Sequence, residues 1–225
     1  LKEDSQAKSI NGKYIADLGD LKYSMNRQLM VKRLEAVGNF LSPESTIQPI
    51  FIGGDHAVTY YLLQHRITDK NSFQILQIDA HKDTGFMRDQ VPEHGSFIRQ
   101  LCQSETVRRV IQVGIRGPQT VADYSDLNGK VTEANVKELS SMLIPGVPVY
   151  LTIDLDAFDP SIIAAVSYQI LNGLSISDFD RVLTILDNFQ VIGADVVEYN
   201  AALDNESSQS ANAAAQIIYK IMLSL

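Results

Sequence analysis

Three short segments, each closing a run of apolar residues, hold six side chains suited to divalent cations. They are His56 in Gly53-Gly54-Asp55-His56; Asp79, His81 and Asp83 in Asp79-Ala80-His81-Lys82-Asp83; and Asp154 and Asp156 in Thr152-Ile153-Asp154-Leu155-Asp156. A fold that uses them together must bring three distant strand ends to one rim. Four carboxylates and two imidazoles meeting there could hold two divalent cations.

The surrounding pattern supplies such a fold. Strand-like runs at Tyr14–Leu18, Pro49–Ile52, Ile75–Ile78, Val110–Val113, Val149–Ile153 and Val191–Val197 alternate with helical stretches. Several of these runs are apolar without alternation, as in strands buried on both faces of a parallel sheet. The helical stretches are Met25–Phe40, Ala57–His65, Ser96–Gln103, Val136–Leu143, Ser177–Leu186 and Ser210–Leu225. This βαβα order predicts an α/β fold, a three-layer α/β/α sandwich around a mostly parallel sheet with right-handed crossovers. The 225 residues suit one domain over 1–225. In open α/β sheets, sites form beyond the carboxyl ends of the strands. His56, Asp79, Asp154 and Glu198 all fall at or just past such ends.

The spacing suits metal chemistry. Asp79, His81 and Asp83 stand at i, i+2, i+4, which puts them on one face of an extended chain. Asp154 and Asp156 repeat the i, i+2 relation. Oxygen ligands mixed with histidine suit Mn²⁺ better than a thiolate site would. Without cations, four acids crowded at the end of a buried sheet would carry a considerable electrostatic cost. Each segment alone also reads as ordinary structure. Asp-Ala-His can end a strand in a polar turn, Asp154 and Asp156 can cap a loop before Asp159-Pro160, and Asp55 can cap a helix. The metal reading rests on all three together.

Composition narrows the partners. Lys and Arg total 19 against 27 Asp and Glu, giving a net charge of −8. That argues against nucleic acid, and no basic run suits an anionic membrane. No apolar stretch spans a bilayer, and no signal peptide is visible. Cys102 is the single cysteine, so an internal disulfide is impossible and a reducing cytoplasm is expected.

These motifs resemble the ureohydrolase family of arginases, agmatinases and related guanidino hydrolases. The resemblance runs from about Tyr14 to the C-terminus and begins at Asp17-Leu18-Gly19-Asp20, similar to the family's Asp-x-Gly-Asp element. It implies two Mn²⁺ per chain. His56 and Asp83 would bind one ion, His81 and Asp156 the other, and Asp79 and Asp154 would bridge them. Two metals about 3.5–4 Å apart can share a hydroxide and lower its pKa towards neutrality. The family chemistry implied is attack of that manganese-bridging hydroxide on a guanidino carbon, giving urea and an amine. His94, in a His-Gly element, would shuttle a proton to the leaving amine and contact substrate. Glu198, in Asp195-Val196-Val197-Glu198, would hold the guanidinium through paired hydrogen bonds. Thr152 could support a ligand through its hydroxyl. Gly114-Ile115-Arg116-Gly117 resembles the family's Gly-Ile-Arg element, with Arg116 expected in loop structure or a subunit contact. A homo-oligomer is implied, with no membrane and no nucleic-acid partner.

Two departures from the family pattern bear on specificity. Only Leu1–Lys13 precedes the first expected strand, so the N-terminal region is short or missing. After Asp159-Pro160, the family's Pro-Gly/Ala-Thr-Gly-Thr-Pro loop is replaced by Ala164-Ala165-Val166-Ser167-Tyr168-Gln169, followed by Asn172-Gly173-Leu174. The leading expectation is therefore an agmatine-like substrate or an arginine side chain within a peptide, converted to ornithine. A free-arginine arginase, a formiminoglutamase-like hydrolase, a single-metal deacetylase-like enzyme and a non-catalytic metal-binding subunit remain as alternatives.

Overall fold

The computed structural model describes residues 8–10, 12–42, 45, 47–68, 71–86, 91–117 and 127–225. The chain opens with β1 (Lys8–Ile10) and β2 (Lys13–Ile15), paired antiparallel as a separate two-stranded sheet. Helix α1 (Arg27–Gly38) follows, its first turn capped by the Asn26 side chain, which accepts from Leu29 N–H. Then come β3 (Ile50–Ile52), α2 (Val58–Leu62), α3 (Gln64–Thr68), β4 (Phe73–Ile78), α4 (Phe97–Leu101), β5 (Val107–Val113) and β6 (Val131–Glu133). The second half holds α5 (Leu139–Met142), β7 (Val149–Asp154), α6 (Ile176–Leu186), β8 (Val191–Val197) and α7 (Gln209–Ser224).

β3 to β8 form one sheet in the order β3-β8-β7-β4-β5-β6, with every pairing parallel. Side chains alternate across it. Leu76 and Ile78 of β4 and Leu151 and Ile153 of β7 share one core with Phe179, Val182, Ile217 and Ile221 from α6 and α7. Phe73 and Ile75 of β4, with Tyr150 of β7, join the other core with Leu63, Phe97, Ile98 and Leu101. Burial on both faces explains why β4 and β7 read as continuous apolar runs.

The topology locates the site. From β4 the chain moves to β5 on one side, and from β7 it moves to β8 on the other. The connections therefore diverge between the carboxyl ends of β4 and β7, where a crevice opens in such sheets. Asp79 directly follows β4, and Asp154 is the last residue of β7. Just below them, a single register row crosses four strands: Gln112 opposite Gln77, Gln77 opposite Thr152, and Thr152 opposite Asp195. All four side chains are buried.

Two expectations need correction, and one strand was not anticipated. Tyr14–Leu18 is not a strand of the parallel sheet. The strand ends at Ile15 and pairs locally with β1, with Gly12 at φ +83° between them. Nearest-neighbour pairing wins because Tyr14, 82% exposed, has no core to join. β6 escaped notice because three residues at a sheet edge carry almost no periodic signal. The stretch Ala57–His65 is two short helices rather than one, with the break at Leu63.

Leu151→Ala should lower the stability of the cation-free protein by about 2–5 kcal/mol, because the side chain is fully enclosed in the central strand. Ser175→Ala, which removes the capping box with Asp178 at the start of α6, should cost only about 0.5–2 kcal/mol. Urea denaturation reads both. Equal losses would contradict this placement of the core.

Candidate metal centre

The loop after β3 delivers His56. Gly53 and Gly54 adopt φ of +93° and +84°, which L side chains rarely tolerate. A Cβ on Gly54 would also lie 2.7 Å from Val58 Cγ1. The turn drops His56 under the site, where its ring is 1% exposed and packs on Phe97. Asp79, Asp154 and Asp156 are likewise buried, while His81 faces partly outward.

All six expected ligands come together. His56 Nδ1 lies 3.0 Å from Asp79 Oδ2, 3.2 Å from Asp83 Oδ2 and 3.3 Å from Asp154 Oδ2. Two groups bring ligand atoms within 4.8 Å of one another and are candidate ion sites: His56, Asp79 and Asp154, and then Asp79, His81 and Asp156. Asp79 belongs to both. His81 Nδ1 is 2.8 Å from Asp156 Oδ2 and 3.8 Å from Asp79 Oδ1.

Neighbouring groups aim these carboxylates. Asp79 Oδ1 accepts from His81 N–H at 2.6 Å, and its Oδ2 accepts from Gln77 Nε2 at 2.7 Å. Gln112 Nε2 in turn donates to Gln77 Oε1 and to the Lys82 carbonyl. Asp154 Oδ1 accepts from Asp156 N–H at 2.8 Å, and Asp156 Oδ1 accepts from Ala80 N–H at 3.1 Å. Asp83 sits at φ +52° and Glu198 at +67°. Such backbone costs of order 1–3 kcal/mol each and persists only where surrounding structure holds it.

The donor set fits a cation. His56 Nδ1 is buried and has no hydrogen bond, despite three carboxylate oxygens around it. Burial pushes Asp83 up to about 8, and the adjacent Asp79 charge adds to that. Burial likewise holds Asp154 well above the usual carboxylate range. For His56, burial favours the neutral ring, but the Asp154, Asp79 and Asp83 carboxylates outweigh it and raise the pKa well above ordinary histidine. In the absence of a metal, protons must take up charge that cations would otherwise neutralise.

The two groups assigned to substrate are less enclosed than the ligands, Glu198 half-buried and His94 exposed. Glu198 Oε1 accepts from His56 N–H at 2.8 Å, and Glu198 N–H donates to the Gly54 carbonyl at 3.0 Å. Burial raises Glu198, while the His56 amide and the nearby His56 and His94 charges oppose the shift. His94 is exposed in the turn before α4.

Arg116 has a structural position. Its guanidinium donates to the carbonyls of Asp156 at 2.6 Å, Ala157 at 3.0 Å and Ile170 at 2.8 Å, tying the ligand-bearing turn to the loop beyond Tyr168. Cys102 is buried, and burial pushes its thiol up to about 12, which suits a plain core side chain. Sequence reasoning missed Gln77, Gln112 and Asp195. The available signal was a polar residue inside an otherwise apolar strand run.

The chain matches the arginase family over residues 2–224. It is 29% identical to arginase 2, chloroplastic/mitochondrial, of Arabidopsis thaliana, over 92% of this chain and 65% of that protein. It is 29% identical to the mitochondrial guanidino acid hydrolase of Homo sapiens, over 94% of this chain and 64% of that protein. The chain thus spans slightly less than two thirds of the length of both relatives. Among solved structures, a putative agmatinase from Clostridium difficile superposes with a TM-score of 0.78 at 21% identity, over 92% of this chain and 78% of that one, which establishes likeness of fold.

Purified protein loaded with manganese should hold two ions per chain by metal analysis. Asp79→Ala, which removes the shared ligand, should disturb both sites, and Asp83→Ala only one. A wild-type stoichiometry of one or zero contradicts the assignment. Affinity should also depend on pH. Asp83, with its pKa raised to about 8, is largely protonated at pH 7, and a cation must displace that proton. Apparent Mn²⁺ affinity should therefore rise from pH 6 to 8, by up to about tenfold per pH unit for each proton released. Calorimetry in two buffers of different ionisation enthalpy reads the proton release directly.

Proposed function

Since the chain belongs to the arginase family, we propose that it is a binuclear manganese ureohydrolase cleaving a guanidino compound to urea and an amine. The observation that carries this reading is the pair of ligand groups sharing Asp79, with Glu198 hydrogen-bonded to the backbone of His56 beside them. Two ligand groups also favour this reading over a single-metal deacetylase-like enzyme.

His56 and Asp83 would hold one ion, His81 and Asp156 the second, and Asp79 and Asp154 both. When bound, the ions supply an activated water nucleophile at neutral pH and Lewis acidity. The remaining work falls to the chain itself. Glu198 has one oxygen fixed by His56 N–H, and its other oxygen is assigned to the guanidinium. A carboxylate suits that planar cation through charge-assisted hydrogen bonds. Water adds at the guanidino carbon, the bond to the alkyl nitrogen breaks, and that nitrogen must gain a proton. His94, exposed and near enough for its charge to act on Glu198, is assigned to deliver it.

The rim favours substrates other than free arginine. Tyr168 lies edge-on to His81, with ring centroids 6.1 Å apart. Phe86 is exposed and stacks with the Arg99 guanidinium at 4.5 Å. The apolar start of Thr84-Gly85-Phe86 gives little to hold an α-carboxylate and α-amine; residues 87–89, the rest of that segment, lie outside the described residues. Agmatine-like compounds or an arginine side chain in a peptide are the proposed substrates. The cytoplasm and a homo-oligomer are proposed as its setting. Among the described residues, no helix is long and apolar enough to cross a membrane.

Urea release from arginine, agmatine, guanidinobutyrate and an arginine-containing peptide tests this. Arginine should have the lowest kcat/KM of the four. Arginine having the highest would overturn the substrate assignment, and no urea from any guanidino compound would overturn the reaction. His94→Asn should retain both metals and lose about 10²–10⁴-fold in turnover. Glu198→Gln should weaken substrate binding, because a neutral amide pairs poorly with a guanidinium. Unchanged turnover in His94→Asn would remove that residue from the mechanism.

A further inference from the structure

The buried row beneath the ligands contains an acid that the proposed chemistry leaves unused. Asp195 on β8 is fully enclosed and accepts three hydroxyl hydrogen bonds. Thr152 Oγ1 donates to its Oδ1 at 2.6 Å, Tyr150 OH to its Oδ2 at 2.7 Å, and Thr59 Oγ1 to its Oδ2 at 2.9 Å. Thr152 Oγ1 also lies 2.8 Å from His56 Nε2. The group therefore joins the start of α2, β7 and β8 directly behind one metal ligand.

Counting protons fixes the direction of the last contact. A threonine hydroxyl has one proton and two lone pairs. The Thr152 proton is committed to Asp195, so Thr152 meets His56 as an acceptor. Thr59 Oγ1 lies 3.4 Å from Thr152 Oγ1, but its own proton is also directed to Asp195. Nε2 of His56 must then carry a hydrogen, so the proton that a cation displaces is the one on Nδ1, and the neutral ring offers its lone pair there, towards Asp79, Asp83 and Asp154. We propose that Asp195 is a positioning residue that, through Thr152, locks His56 in the tautomer and ring orientation able to ligate a cation. Free of Asp195, the Thr152 hydroxyl could turn and donate to Nε2. The proton would then reside on Nδ1 and block coordination. Partners of this kind behind metal-bound histidines are typically worth 10–100-fold in affinity.

The inference rests on the metal reading of the site, and its test separates the two. Mn²⁺ affinity is measured by the EPR signal of the free ion, and the melting temperature of the cation-free protein is recorded alongside. Asp195→Ala and Thr152→Val should each weaken Mn²⁺ binding about 10–100-fold. Thr152→Ser, which keeps the hydroxyl, should bind as wild type. Asp195→Asn should retain most of the affinity, because its amide oxygen can still accept from Thr152. The decisive measurement is the double variant Thr152→Val/Asp195→Ala, which should bind no more weakly than Thr152→Val alone, since the two act in series. Additive losses in affinity, or Asp195→Ala binding like wild type, would overturn the relay. If Asp195→Ala fails to fold, Thr152→Val against Thr152→Ser carries the test, and equal affinities of that pair overturn it. Failure of the wild type to bind Mn²⁺ would overturn the metal reading itself.

Discussion

The crowding of acids in a buried place is the constraint on which the rest of this structure depends. Asp79, Asp154 and Asp156 are almost wholly enclosed, and Asp83 is 8% exposed. Carboxylates so close together cannot all ionise without a compensating charge. Burial first and the neighbouring Asp79 charge second raise Asp83 and Asp154, while the same carboxylates hold a proton on His56. A fold that only had to be stable would place apolar residues there. Retaining the acids makes sense if cations complete the site, and then cation binding and stability become linked.

The rest of the structure keeps that crowd in register. The diverging connections of β4 and β7 open the crevice. The glycine turn after β3 and the left-handed backbone of Asp83 and Glu198 bring side chains where regular strands would not carry them. Gln112 and Gln77 brace Asp79 from one side, while Asp195 and Thr152 stand behind His56 on the other. Arg116 fastens the Asp156 turn to the loop bearing Tyr168. Catalytic geometry depends on such supporting contacts, since a ligand held loosely loses affinity and turnover together.

Much of this was legible in the sequence because local chemistry is strong where function demands it. Gly53-Gly54-Asp55-His56, Asp79-Ala80-His81-Lys82-Asp83 and the Asp154 pair each follow an apolar run, and the structure gathers five of the six side chains into two groups and sets Asp83 3.2 Å from His56. Strands buried on both faces announced the parallel sheet. The signal failed where residues were few or their surroundings distant. Three residues of β6 cannot display a period. Tyr14–Leu18 has strand-like composition, but only burial against a sheet would have made it a sheet strand. Gln77, Gln112 and Asp195 look like ordinary polar interruptions until register aligns them.

The sequence by itself determined which atoms are available for chemistry and that they stand at strand ends. Ligand identity is a property of the local chain, but the extended i, i+2 arrangement expected from spacing does not hold: β4 ends at Ile78, Asp83 has φ +52°, and Asp156 lies in a 3-10 turn with Leu155 buried beside it. Only the tertiary structure decided that His56 Nδ1 rather than Nε2 faces the acids and that Asp195 lies behind Thr152. These relations join residues far apart in the chain, and strand order and register alone bring them within hydrogen-bonding distance. The orientation of an imidazole depends on which partner reaches its other nitrogen, and in a parallel sheet that partner arrives from a strand whose register no local pattern encodes.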